Sequence, residues 1–76
     1  MVKAYVRIDI KGGMEMTVRD TLMAIQCVKS VDLTFGEQDA IAIVEAENVE
    51  ALFKIITRQI ERTDGVERTM TNLVVK

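Results

Sequence analysis

The sequence has 76 residues, of which 49% are hydrophobic and 29% are charged, and its formal net charge is −2. A chain of this length forms one small domain, and its balance of apolar and charged residues is that of a folded protein. The acidic balance gives no electrostatic footprint for a polyanion, so direct binding of DNA or RNA by this chain is not expected.

The first predicted element is a strand over residues 2–10, in which apolar and polar side chains alternate without a break. Successive side chains of a strand point to opposite faces, so the pattern predicts a sheet with one dry face. One dry face is typical of antiparallel sheets, because strands of parallel sheets are apolar on both faces. The pattern ends at Gly12-Gly13.

A helix is predicted next, at about residues 14–26, because the spacing of the apolar residues changes to three and four. Its apolar stripe consists of Met14, Val18, Leu22 and Ile25. The start of this helix is left open, since Thr17 with Asp20 resembles a capping box that would begin the helix later.

Two strands joined by a short loop are predicted in the middle of the chain. Val31, Leu33 and Phe35 alternate with polar residues, and residues 41–44 form a nearly continuous apolar run. The polar segment 36–39 between them has the length of a hairpin loop.

The second half of the chain repeats the helix and strand. An apolar stripe from Val49 to Ile60 predicts a helix, with Asn48 placed to cap its first turn. Gly65 is suited to the left-handed conformation that ends a helix. Residues 66–75 are predicted to form the last strand, whose shared face carries Thr69, Thr71, Leu73 and Val75.

The predicted order is therefore βαββαβ. Two right-handed β-α-β halves give an α+β, ferredoxin-like fold, with a four-stranded antiparallel sheet and both helices on one face. The uncovered face is expected to carry Tyr5 and, depending on register, Thr69, Thr71 and Leu73. Apolar and aromatic groups there favour a partner sheet over water, which predicts a face-to-face dimer.

The sequence offers little for catalysis. It contains no histidine, and its single cysteine, Cys27, lies at a helix end and is interpreted as a small buried hydrophobe. The carboxylates form no spaced metal cluster, and Gly12-Gly13 lacks the context of a phosphate-binding loop. No catalytic residue, metal or cofactor is expected, and the chain is not expected to be an enzyme. With no long apolar run, no membrane contact and a cytoplasmic location with reduced Cys27 are expected.

Three segments together resemble a known family: VKAYVRIDI at residues 2–10, GEQD at 36–39 and GVERTMTNLVVK at 65–76. They are similar to the ligand-sensing domain, called RAM, of the Lrp/AsnC family of transcription regulators. The resemblance covers the whole chain and implies a single domain over residues 1–76, of the dimeric α/β-barrel type. It implies dimers joined through their sheets, larger assemblies, and an effector, usually an amino acid, bound between dimers near the loop that joins the second and third strands.

The resemblance also implies the residues of the effector site. Gly36 and Asp39 match the family's loop, and Thr69 and Thr71 match its last strand. An amino acid needs a carboxylate for its ammonium group, which Asp39 would supply, and hydroxyls or backbone N–H groups for its own carboxylate. The alternative is that Asp39 only stabilises its own loop through an Asx-type turn.

The expected function is a stand-alone amino-acid-sensing or oligomerisation module. The family's helix-turn-helix is not expected here because the first strand begins at Val2, so any action on transcription would be indirect, through mixing with full-length Lrp/AsnC regulators. Three alternatives remain open: an ACT-type regulatory domain, a small enzyme of the dimeric α+β-barrel kind, and a purely structural oligomer without a ligand.

Overall fold

A computed structural model describes residues 1–75 and shows the predicted order of elements. The elements are β1 (Val2–Ile10), α1 (Glu15–Met23), β2 (Val28–Leu33), β3 (Ala40–Ala46), α2 (Val49–Ile55), which continues as a π-helical turn (Ile56–Ile60), and β4 (Val66–Leu73). All neighbouring strands are antiparallel, in the order β2-β3-β1-β4. The ferredoxin-like prediction is confirmed. Within residues 1–75, no helix is long and apolar enough to cross a membrane.

The core lies between the sheet and the two helices, and it is entirely aliphatic. Alternate residues of β1 and β3 point into it, as the alternation in the sequence predicts. From the helices, Leu22 of α1 and Leu52 of α2 are completely buried. Cys27 is half-buried and packs against this cluster, which agrees with its interpretation as a small hydrophobe.

The helix ends agree only in part with prediction. The Asn48 Oδ1 atom accepts a hydrogen bond from the Ala51 N–H at 2.8 Å, which confirms the cap. The first helix begins at Glu15 and has no side-chain cap, so a late start with Thr17 as cap is wrong. It also ends at Met23, three residues before the predicted end, because Ala24 and Ile25 donate to carbonyls three residues back and tighten the chain into a turn.

Gly65 joins the second helical segment to β4 in a conformation that favours glycine, with φ of +97°. Its carbonyl accepts a hydrogen bond from the Lys11 N–H at 2.8 Å, which ties the end of β1 to the start of β4. A Cβ atom at this position would lie 2.8 Å from the Cγ2 atom of Val18 on α1. The absence of a side chain therefore lets the loop pack closely on the first helix.

The register of β4 corrects one expectation. Thr69 pairs with Ile8, Thr71 pairs with Val6, and Leu73 pairs with Ala4. Paired residues of neighbouring strands share a face, so these three side chains lie on the helix-covered side, and their placement beside Tyr5 is wrong. A register shift between Asp9 and Ile10 adjusts the pairing at the start of β4. The β4 residues on the uncovered face are Arg68, Met70 and Asn72.

Candidate functional site

Asp39 is the last residue of the loop between β2 and β3, and its side chain is held by β1. The Asp39 Oδ2 atom accepts a hydrogen bond from the Ile10 N–H at 2.7 Å, and the Asp39 N–H donates to the Ile8 carbonyl at 3.0 Å. The last backbone pair between β1 and β3 is Ile8 with Ala40. The Asp39 carboxylate adds one more hydrogen bond beyond that pair, to the Ile10 N–H. The predicted loop-stabilising role is thus present, but through β1 and not through an Asx turn.

A cleft of about 310 Å³ opens beside this carboxylate. Phe35 is fully exposed at its rim, and the Thr34 hydroxyl donates to the Gln38 carbonyl at 2.9 Å, which folds the loop back on itself. Glu15, the first residue of α1, accepts a hydrogen bond from the Gly13 N–H at 3.0 Å. The cleft is lined by Glu15, Leu33, Thr34, Phe35 and Asp39.

Only two of the four predicted site residues, Gly36 and Asp39, lie in the same loop. Gly36 follows Phe35 in the exposed loop, next to the cleft but outside its lining. Thr69 lies across β1, in a second cleft of about 280 Å³, where its hydroxyl donates to Glu61 Oε2 at 3.0 Å. Thr71 lies two residues further along β4 and lines neither cleft. Within one chain, the structure therefore groups Asp39 with the loop and separates both threonines from it.

Asp39 has three neighbours that were not predicted from the sequence: Glu15, Thr34 and Phe35. Phe35 alternates with Val31 and Leu33 and was predicted in the second strand, but β2 ends at Leu33 and leaves the Phe35 side chain fully exposed beside the loop. Glu15 could not be inferred, because only the folded chain brings the start of α1 beside the loop.

The chemistry of the cleft follows from its lining. Two of the five side chains, Glu15 and Asp39, are carboxylates, and none is basic. Carboxylates accept hydrogen bonds from an ammonium group, and these bonds are stronger than those between neutral groups. Leu33 and Phe35 add apolar surface on which the rest of a ligand can pack. The cleft is therefore suited to a small ligand with an ammonium group and an apolar part.

A second feature is the sheet surface opposite the helices, which we call the open face. Side chains form rows across it, and the two central rows are Ser30–Ile43–Tyr5–Asn72 and Asp32–Ile41–Arg7–Met70. Beside them, Lys3 Nζ lies 5.3 Å from the centre of the Tyr5 ring, and Arg68 Nε lies 3.2 Å from Asp9 Oδ2. The open face thus has a mainly apolar centre that includes one basic residue, Arg7, and further charged groups lie around it.

No group of three or more His, Cys, Asp or Glu in the described part of the chain is placed to hold a metal ion.

Comparison with known proteins gives the family. The family described as the Lrp/AsnC ligand binding domain matches residues 3–76. Among solved structures, FFRP-DM1 is 29% identical, with a TM-score of 0.95 over 99% of this chain and 100% of that one. TTHA0845 from Thermus thermophilus is 30% identical, with a TM-score of 0.94 over 100% of this chain and 95% of that one.

A more distant structure shares the fold alone. It is the transcriptional regulator NMB0573 from Neisseria meningitidis in complex with L-Met, which is 17% identical with a TM-score of 0.87, over 99% of this chain and 50% of that one. No curated protein sequence matches the chain. The family match extends over nearly every residue, and the two structures of similar length superimpose on the whole fold. The chain therefore belongs to the Lrp/AsnC ligand-binding domain family.

Proposed function

We propose that this domain senses an amino acid, self-associates through its open face, and acts on transcription indirectly through partner regulators. The observation that carries the sensing part is the cleft with Glu15, Asp39 and Phe35 in its lining. Its volume of about 310 Å³ lies at the lower end of the range for small-molecule sites. The L-Met complex of NMB0573 supports the same class of ligand.

In the proposed complex, the ligand ammonium meets Asp39 and Glu15, and its side chain packs against Phe35. Oδ2 of Asp39 accepts from the Ile10 N–H, which leaves Oδ1 free to accept from the ammonium. The cleft has no cationic side chain for the ligand carboxylate, and Thr69 and Thr71 lie elsewhere in the same chain. We assign that role to a second dimer, whose Thr69 and Thr71 approach the loop at Gly36 and complete the site.

The test is isothermal titration of the twenty amino acids against the wild type and two variants. Asp39→Asn removes the charge but keeps an oxygen that can accept from Ile10, so binding should fall while the fold stays intact. Loss of one partner of a desolvated charge pair costs about 2–5 kcal/mol, which would raise the dissociation constant by about 30-fold to 4,000-fold. Glu37→Gln, in the same loop but outside the cleft lining, is the matched control and should bind as the wild type does.

Two results would contradict this assignment. Equal binding to the wild type and Asp39→Asn would remove Asp39 from the site. Absence of any bound amino acid in the wild type would favour the alternative of a purely structural oligomer.

Self-association is supported by the composition of the open face. Tyr5, Ile41, Ile43 and Met70 form its centre and remain partly accessible in the single chain. A sheet with one uncovered apolar face is stabilised when a second sheet packs on it at about 10 Å. The chain also buries a small core, and small domains gain stability from association.

Light scattering at micromolar concentration should show at least a dimer. Tyr5→Lys together with Ile43→Lys should give a folded monomer, because two charges would be buried in the sheet interface. Val49→Lys with Phe53→Lys, on the helical side, is the matched control and should stay dimeric. A wild-type protein that remains monomeric would contradict the proposal.

A further inference from the structure

Arg7 lies at the centre of the open face, where a basic residue is unexpected. Its neighbours across the sheet are Ile41 on β3 and Met70 on β4. The Nε atom of Arg7 is buried and has no hydrogen-bond partner among the described residues. Buried side-chain nitrogens in proteins are nearly always paired, so the single chain leaves this group incomplete.

Three acidic side chains share the open face with Arg7, and they differ in their ion pairs and in their distance from Arg7. Asp9 is two residues along β1, but Arg68 already holds it at 3.2 Å. Glu45 lies opposite Lys3 on the neighbouring strand, four residues along β1 from Arg7, which corresponds to about 13 Å. Asp32 is exposed, forms no ion pair within residues 1–75, and lies in the same row as Arg7.

Within one chain, Asp32 and Arg7 are two strands apart, about 10 Å, with the Ile41 side chain between them. The midline of the four strands runs between β3 and β1. In the proposed dimer, the two-fold axis lies between the two sheets, parallel to the strands and over this midline. Each row of one copy then lies over the same row of the second copy, with the order of the strands reversed. Arg7 then faces Ile41 of the second copy across about 10 Å between the sheets, and Asp32 of that copy lies one strand, about 4.8 Å, to the side. The two side chains point toward each other across this gap, with no other side chain between them.

We propose that Arg7 forms an ion pair with Asp32 of the second subunit, and that this pair selects which chains associate through the open face. The proposal rests on the face-to-face dimer argued above. Two-fold symmetry makes two such pairs, one at each side of the midline, around the apolar centre. A chain with a base in the β1 position and an acid in the β2 position fits this one, and a chain with like charges is rejected.

Charge reversal and mixing test the pair directly. Arg7→Glu and Asp32→Lys each place like charges together twice in their own dimer, so each dissociation constant should rise at least about 30-fold. An equimolar mixture of the two variants should associate as the wild type does, because the mixed dimer restores opposite charges at both contacts. Sedimentation velocity of each variant and of the mixture measures this, with one variant carrying a mass tag.

The association of the mixture distinguishes an ion pair between subunits from an ion pair within one chain. A pair within the chain would leave both variants unable to rescue each other, and that result would overturn the proposal. Arg7→Glu mixed with Glu45→Lys is the matched control, since Glu45 lies on the same face at the wrong distance. Its mixed dimer keeps one Arg7–Asp32 contact and one contact between like charges, so it should be weaker than the wild-type dimer. Rescue as complete as that obtained with Asp32→Lys would overturn the proposal. Arg58→Glu, exposed on the π-helical turn, should leave the dimer unchanged.

The two proposals fail in different ways. A wild-type protein that is monomeric contradicts the sheet-face dimer itself. If the wild type and the Arg7→Glu variant dimerise equally well, the sheet-face dimer is still supported, but the role of Arg7 in selecting partners is contradicted. Circular dichroism of each variant checks the fold, and Arg7→Gln, which removes the charge without reversing it, should weaken the dimer by a smaller factor.

Discussion

The carboxylate of Asp39 accepts a hydrogen bond from the backbone N–H of Ile10 across 29 positions of sequence, at 2.7 Å. This bond fixes the loop between β2 and β3 to the end of β1. Asp39 therefore has a structural role whether or not a ligand binds. A loss of function on its substitution would have two causes to distinguish, the loss of the loop contact and the loss of the ligand contact.

Asp39→Ala should lower the free energy of unfolding by about 1–3 kcal/mol, because the Ile10 N–H would be left without its acceptor in a partly buried place. Asp39→Asn should cost less, about 1 kcal/mol, since the amide oxygen can still accept. Urea unfolding at one fixed protein concentration measures both. Equal losses in the two variants would show that the charge, and not the hydrogen bond, stabilises the loop.

Gly65→Ala should lower the free energy of unfolding more than Gly13→Ala or Gly36→Ala does. The new Cβ would meet Val18 Cγ2 at 2.8 Å, and the φ of +97° adds backbone strain of about 1–2 kcal/mol. Gly13→Ala has a φ of +90° but open space, so it isolates the strain. Gly36→Ala has neither feature and should change stability by less than about 0.5 kcal/mol. A Gly13 variant as unstable as the Gly65 variant would show that the contact with Val18 adds nothing.

Asn48→Ala should destabilise the domain by about 1 kcal/mol, because the Ala51 N–H loses its side-chain acceptor at the start of α2. Asn48→Asp keeps an acceptor and places a negative charge at the helix N-terminus, so it should be at least as stable as the wild type. Thermal melting followed by circular dichroism distinguishes them. An Asp variant that melts with the Ala variant would argue against the cap as the cause.

The 76-residue chain should not bind duplex DNA specifically by itself. Its net charge is −2, and both described helices pack on the sheet, where neither is presented as a recognition helix. A gel-shift assay of the pure chain at physiological salt should show free DNA only. A sequence-specific shift that survives added salt would refute indirect action.

The elements of the fold were predictable because local patterns and tertiary packing agree in them. The alternation in residues 2–10 is the burial pattern of β1. From the predicted stripe, Leu52, Ile56 and Ile60 form the buried side of α2 and its π-helical turn, whereas Val49 and Phe53 are exposed. Asn48 shows the same agreement, since a capping residue acts within its own helix turn.

The faces of β4 were not predictable, because the sequence of a strand does not specify which residues it pairs with on the neighbouring strand. Thr69 and Met70 are both compatible with either face, and a shift of one residue exchanges them. The pairing of Thr69 with Ile8 is fixed partly by the irregularity at Asp9 and Ile10, which has no local sequence pattern. The grouping of Glu15 with Asp39 has the same origin, since it depends on two elements meeting in space.

The aliphatic core has an optical consequence. The chain has one tyrosine and no tryptophan, and that tyrosine, Tyr5, lies in the open face and not in the core. Its near-ultraviolet emission therefore carries no information about the interior of a single chain and reports only what happens at the sheet surface. Quenching of Tyr5 fluorescence by a dissolved small molecule should be efficient in a monomer and suppressed when a second sheet covers the ring. The intrinsic fluorescence of the unlabelled protein therefore reports its assembly.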